Sequence, residues 1–136
     1  MNSPPLPTIN TPWTESPFFP QLLKEANLSS QEQDLVTHFT EKGYVIIDTH
    51  ITDFDMVAQE IITALAEKYQ GQGRIQDAWK YNDAVRTLAI TPRVLQTIRL
   101  LYRREPIPFQ TLNFPIGTEQ ETHSDTIHFH SIPQRF

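Results

Sequence analysis

Eleven prolines are spread through 136 residues, and their placement constrains the fold more than any other feature of the chain. A proline locks its own φ and lacks an amide hydrogen, so it opens helices and borders turns but interrupts helix interiors and paired strands. Six of the eleven lie between Met1 and Pro20. Over residues 1–27 they alternate with aromatic and polar positions, among them Trp13, Phe18 and Phe19. That pattern predicts a proline-rich extended arm lying across the surface, with its aromatic rings able to pack. Farther on, Pro92 follows Thr91 at the start of a helical pattern, Pro106 closes that pattern, and Pro115 falls in a turn.

Between these markers the helix signals are local and specific. Ser29 with Glu32 three residues later makes a capping box, Leu35, Val36 and Phe39 share one helical face, and Gly43 supplies the stop. A helix from about 30 to 42 follows. Tyr44–Ile47 is β-branched and aromatic and is predicted as a strand. Thr52 or Asp53 caps a second helix with the stripe Phe54, Val57, Ile61 and Leu65. After a polar turn from Gln70 to Gly73, Asn82 can cap a short helix reaching Ala89. Thr91 and Pro92 then start one whose buried face is Val94, Leu95, Ile98 and Leu101. From Pro108 the pattern turns extended through Phe114, and after a turn it is extended again from Glu121 to His130. Helices first and strands last predict an α+β fold. There is no internal repeat.

A hydrophobic share of 38% can build one core, and compact domains usually run to roughly 100–150 residues, so one domain is expected over residues 28–136 behind the arm. The formal charge of -5 is uneven: residues 1–73 hold three basic and ten acidic side chains, while 74–104 hold seven basic and two acidic. The basic middle can attract a carboxylated or phosphorylated ligand or serve as a solvated helix face. An acidic total argues against nucleic acid as a partner. No stretch is apolar enough to predict a membrane span, and Met1 to Pro20 lacks the basic and apolar regions of a secretory signal, so a cytoplasmic location is expected. With no cysteine, a metal site would be built from His, Asp and Glu, which favours iron, manganese or zinc.

The run from Glu121 to His130 holds the densest chemistry. Residues two apart on a strand project from one face, so His123 and Asp125 would offer an imidazole nitrogen and a carboxylate oxygen to a common point. Two histidines and one carboxylate on one octahedral face are the ligand set of non-haem Fe(II) oxygenases. His128 and His130 have the opposite parity and face away unless a bulge intervenes. His38 and His50 read as ordinary helix and turn residues. A His-x-Asp tripeptide is by itself common, and it takes its meaning from the strand and turn around it.

Four blocks, Gly73 to Trp79 (GRIQDAW), Leu88 to Leu95 (LAITPRVL), Phe109 to Pro115 (FQTLNFP) and Thr122 to Thr126 (THSDT), together resemble the phytanoyl-CoA dioxygenase family. Glu41 to Ile47 (EKGYVII) and its flanking helices add to the likeness, which runs over residues 28–133. The resemblance implies N-terminal helices leading into a double-stranded β-helix, or jelly roll, that binds Fe(II) and 2-oxoglutarate and hydroxylates a small-molecule substrate. It implies His123 and Asp125 as two iron ligands and Arg74, Gln110 and Asn113 at the co-substrate. Arg74 stands where family members commonly carry lysine, which keeps the charge and changes the geometry. The family's third ligand, a histidine, and its 2-oxoglutarate-binding arginine lie several dozen residues past the aspartate. This sequence runs eleven residues past Asp125. The expectation is therefore an N-terminal portion with an incomplete jelly roll, inert on its own and able to self-associate through exposed strands. The alternative is a non-catalytic helical and strand module that binds a partner protein.

Overall fold

A computed structural model describes residues 11–118 together with Glu121 and His123. The chain forms five α-helices and one two-stranded sheet among these residues: α1 (Phe19–Glu25), α2 (Ser30–Lys42), α3 (Phe54–Ala66), β1 (Ile75–Gln76), α4 (Asp83–Ala89), α5 (Pro92–Tyr102) and β2 (Leu112–Asn113). Short 3₁₀ turns occupy Trp13–Glu15 and Ala78–Lys80. The architecture is mixed helix and antiparallel sheet, as an α+β reading requires.

The best-signalled helix forms as its residues dictate. The Ser29 hydroxyl accepts from the Glu32 amide at 3.3 Å while the Glu32 carboxylate accepts from the Ser29 amide at 2.8 Å, closing the capping box. The Ser29 hydroxyl also donates to the Glu32 carboxylate at 2.7 Å, and this bond, with the one from the Ser29 amide, holds the Glu32 carboxyl below the usual glutamate range. At the other end Gly43 takes φ 78°, in the left-handed region, and its amide reaches the Phe39 carbonyl at 2.8 Å. Asn82 and the Thr91–Pro92 pair start α4 and α5 as expected, with Asn82 Oδ1 accepting from the Val85 amide at 2.9 Å.

Three expectations are corrected. The stretch read as an extended arm folds from Trp13 onward: Pro20 sits in the first turn of α1, where its missing amide costs nothing, and Trp13 is 7% exposed. Tyr44–Ile47 forms no ladder with any described residue. Exposure alternates along it, with Val45 packed on the helices and Ile46 91% exposed. A strand exists only through its partner, so the β-prone side chains alone do not make one. In α3, Val57, Ile61 and Leu65 turn inward as expected, whereas Phe54 is 51% exposed and Asp53 makes no side-chain cap bond.

Two apolar clusters hold these elements. In the first, Trp13, Val36 and Leu101 are buried together, with Phe19, Leu35 and Phe39 packed around them, so the N-terminal turn wedges against α2 and α5. The Trp13 indole N–H donates to the Leu100 carbonyl at 3.1 Å, and the Arg103 guanidinium lies 3.7 Å from the ring centroid. In the second cluster Leu65, Ile75, Ala78 and Val85 join α3, β1, the second 3₁₀ turn and α4, with Tyr69 and Trp79 against them. Trp13→Ala removes a buried ring, its hydrogen bond and a cation–π contact at once. It is expected to cost about 3–5 kcal/mol of stability, read as a lowered denaturant midpoint at unchanged slope.

Candidate functional site

The second cluster carries the sheet, and the sheet builds the site. After α3 the chain turns through Gln70 and Gly71, both in the left-handed region at φ 43° and 81°, and enters β1. β1 pairs antiparallel with β2, Ile75 opposite Asn113 and Gln76 opposite Leu112, and the Asp77 amide donates to the Thr111 carbonyl at 2.8 Å one step farther on. The sequence pattern is extended from Pro108, on the β2 side, and predicts no strand at Ile75–Gln76. Two residues carry no periodicity from which to read one.

Alternation along this ladder sorts the side chains. Ile75 is buried and Asn113 half-buried on the inner face, while Gln76 and Leu112 are exposed on the outer one. Arg74 and Gln76 line an open cleft of about 690 Å³, closed on the far side by Phe114, Pro115, Ile116 and Thr118. Arg74 is exposed and has no carboxylate partner among the described residues. The cleft therefore offers a guanidinium fork, the amides of Gln72 and Gln76, and apolar walls, a combination suited to a small carboxylate with a short carbon chain.

The other residues expected at the co-substrate lie elsewhere. Gln110 lines a smaller, mostly apolar pocket of about 150 Å³ with Trp79, Ile90 and Pro108. Asn113 points to the inner face with its Oδ1 buried. Of the three, Arg74 alone lines the larger cleft.

Of the expected metal ligands, His123 is described and Asp125 lies outside the described residues, as do His128 and His130. The His123 Nδ1 is 2.7 Å from the Glu121 carbonyl oxygen. A carbonyl can only accept, so Nδ1 carries the proton and the lone pair of the neutral ring belongs to Nε2. That tautomer suits a metal ligand, whose second nitrogen normally donates to a carbonyl or carboxylate. Among the described residues no three His, Asp or Glu side chains come together as a metal-binding group. No helix among them is long and apolar enough to cross a membrane.

One charged pair at the sheet escaped the sequence reading. Asp77 sits at φ 58° directly after β1, and its Oδ2 accepts from Lys80 Nζ at 2.9 Å. The hydrogen bond from Lys80 holds the Asp77 carboxyl below the usual aspartate range, with the lysine charge, the Thr111 amide and the Trp79 indole adding to it and burial opposing it. An Asp and a Lys three apart were the available signal, though only the left-handed backbone at Asp77 aims them at each other.

Compared with known proteins, the chain matches no family model, no curated protein and no solved structure.

A carboxyl with a depressed folded pKa contributes stability that is present above its unfolded pKa and lost as pH falls through the folded one. The NMR signals of Asp77 and Thr111 should therefore titrate at lower pH than ordinary aspartates. Lys80→Ala should move that titration upward, and an unshifted midpoint in the variant would contradict the pairing.

Proposed function

We propose that the chain belongs to the Fe(II)/2-oxoglutarate-dependent dioxygenases of the phytanoyl-CoA dioxygenase type, and that Arg74 anchors a carboxylate of the co-substrate. The observation that carries this reading is the position of Arg74. An arginine without a carboxylate partner among the described residues lines an open cleft beside the amide side chains of Gln72 and Gln76, on the block that resembles the family. The loop from Phe114 to Thr118 that forms the opposite wall leads on toward Glu121 and His123.

The chain's own contributions are binding and orientation. Arg74 pairs with a carboxylate through two parallel N–H···O bonds, a geometry that a lysine in this place could not supply. Phe114 and Ile116 shield the carbon chain of the ligand and exclude water from one side. His123, with its proton held on Nδ1 by the Glu121 carbonyl, would present Nε2 to the metal beside the carboxylate of Asp125. Fe(II) in such a site supplies oxidation of a substrate C–H bond coupled to decarboxylation of 2-oxoglutarate to succinate. The jelly roll belongs to this same proposal.

A second reading rests on exposed apolar side chains. Ile46, Met56, Ile62, Ile107 and Ile116 are each more than 60% exposed, which suits a helix and strand module that self-associates or binds a partner protein. In that case Ile46→Asp would reduce association, and substitutions at His123 and Asp125 would leave it unchanged.

Mn(II) titration of the full chain followed by NMR tests the first reading, because paramagnetic broadening detects even weak metal binding. Broadening is expected to centre on His123 and Asp125, to reach Arg74 when 2-oxoglutarate is present, and to disappear in the double alanine variant. Broadening centred on Glu32 or Asp55, or indifferent to the double substitution, would contradict it.

A further inference from the structure

Among the seven basic residues of the segment 74–104, Arg86 stands beside an apolar hollow that the proposed co-substrate site does not use. The hollow measures about 150 Å³ and is lined by Trp79, Ala89, Ile90, Pro108 and Gln110 together with Arg86. It shares no lining residue with the Arg74 cleft. Its walls stay apart for local reasons. Trp79 packs against the second apolar cluster, Pro108 has a fixed φ, and Ala89, the last residue of α4, has a side chain too short to fill the space. Ile90 is 48% exposed, so the hollow opens to solvent on its side.

Arg86 is anchored at this pocket by the protein itself. Its Nε donates to the Trp79 carbonyl at 3.2 Å, and its Nη1 lies 3.1 Å from Asp83 Oδ1. The Asp83 side chain is 92% exposed, so that ion pair is readily exchanged for another anion. Among the described residues Arg86 makes no other polar contact, which leaves Nη2 for a ligand. We propose that the pocket is a binding site for a small aryl carboxylate, with one six-membered ring in the hollow beside Trp79 and the carboxylate on the Arg86 guanidinium. An apolar cavity of about 150 Å³ holds a benzene ring, and the indole adds an aromatic surface for it to pack on. The Gln110 amide lines the same pocket and can donate to the same carboxylate. A bare anion would leave the apolar walls uncovered, and an uncharged ring would forgo the guanidinium. The surplus of cations over residues 74–104 favours an anionic ligand at long range. This site does not depend on reading Arg74 as a co-substrate anchor.

The test is titration of benzoate and phenylacetate into the nitrogen-labelled full chain, with benzyl alcohol and acetate as the two half-ligands, read by NMR. Trp79→Phe identifies the Trp79 indole signal, and Trp13, in the other apolar cluster, serves as the control. At millimolar concentration at least one aryl carboxylate is expected to shift the Trp79 indole and the Ala89 and Ile90 amides saturably, leaving Trp13 unmoved. It is expected to bind at least about threefold more tightly than benzyl alcohol, with acetate shifting none of these signals. Ala89→Leu fills the hollow with a good helix former and is expected to abolish binding. Arg86→Met keeps the aliphatic stem and is expected to lower the affinity to that of benzyl alcohol. Both variants are checked for retained helical circular dichroism, and the comparison with benzyl alcohol is made on the wild type, so the charge contribution is read even where a variant fails to fold. Absence of these shifts with both aryl carboxylates, equal binding of benzyl alcohol, or shifts that persist in a folded Ala89→Leu variant would overturn the proposal. Loss of the shifts in Arg74→Ala would place the ligand in the cleft and overturn it as well.

Discussion

The pairing of Ile75–Gln76 with Leu112–Asn113 is the contact on which the candidate site depends. It brings the turn after α3 against the chain that leaves α5, and each wall of the cleft comes from one side of it. A two-stranded ladder this short is not stable by itself in water. Here it is held from behind by Ile75 and Ala78, which are buried against Leu65 and Val85, and at its end by the Asp77–Lys80 pair. The hydrophobic contacts supply the driving force, since exposed ion pairs contribute little. The paired residues and the Asp77–Thr111 backbone bond set the register, and alternation along it puts Arg74 at the cleft and Asn113 toward the core.

The helical cluster has a parallel logic. α2 and α5 present apolar faces, but the buried contact between them is completed by a residue from neither helix, Trp13, whose ring and N–H are both satisfied. The N-terminal turn is thus part of the core. Leu101 sits in this cluster and Arg103 stacks on Trp13 directly after it, so the exit of α5 toward β2 is set by the same packing that seats the tryptophan.

What could be read from the sequence was whatever closes within one helical turn. The Ser29–Glu32 box, the stop at Gly43, the Asn82 cap and the Thr91–Pro92 start are short-range hydrogen-bond and dihedral chemistry, and each appears where its residues stand. The features that escaped depend on distant partners. Trp13 is buried by a contact 87 residues away, and Ile75–Gln76 is a strand only because Leu112–Asn113 lies beside it. Tyr44–Ile47 has strand composition without a described partner. At the site, the resemblance pointed to Arg74, Gln110 and Asn113 together. Antiparallel register separates them, because Arg74 lies just before the paired residues, Asn113 within them on the inner face, and Gln110 beyond them beside a different pocket.

Calorimetric titration of 2-oxoglutarate into the full chain tests the proposal that the ladder turns Arg74 into a carboxylate anchor. Measurable binding is expected, which Arg74→Ala weakens by about tenfold or more, the loss of a charge-assisted bond of roughly 1.5–3 kcal/mol, with Arg74→Lys in between. Equal affinity of the wild type and Arg74→Ala for 2-oxoglutarate would contradict it.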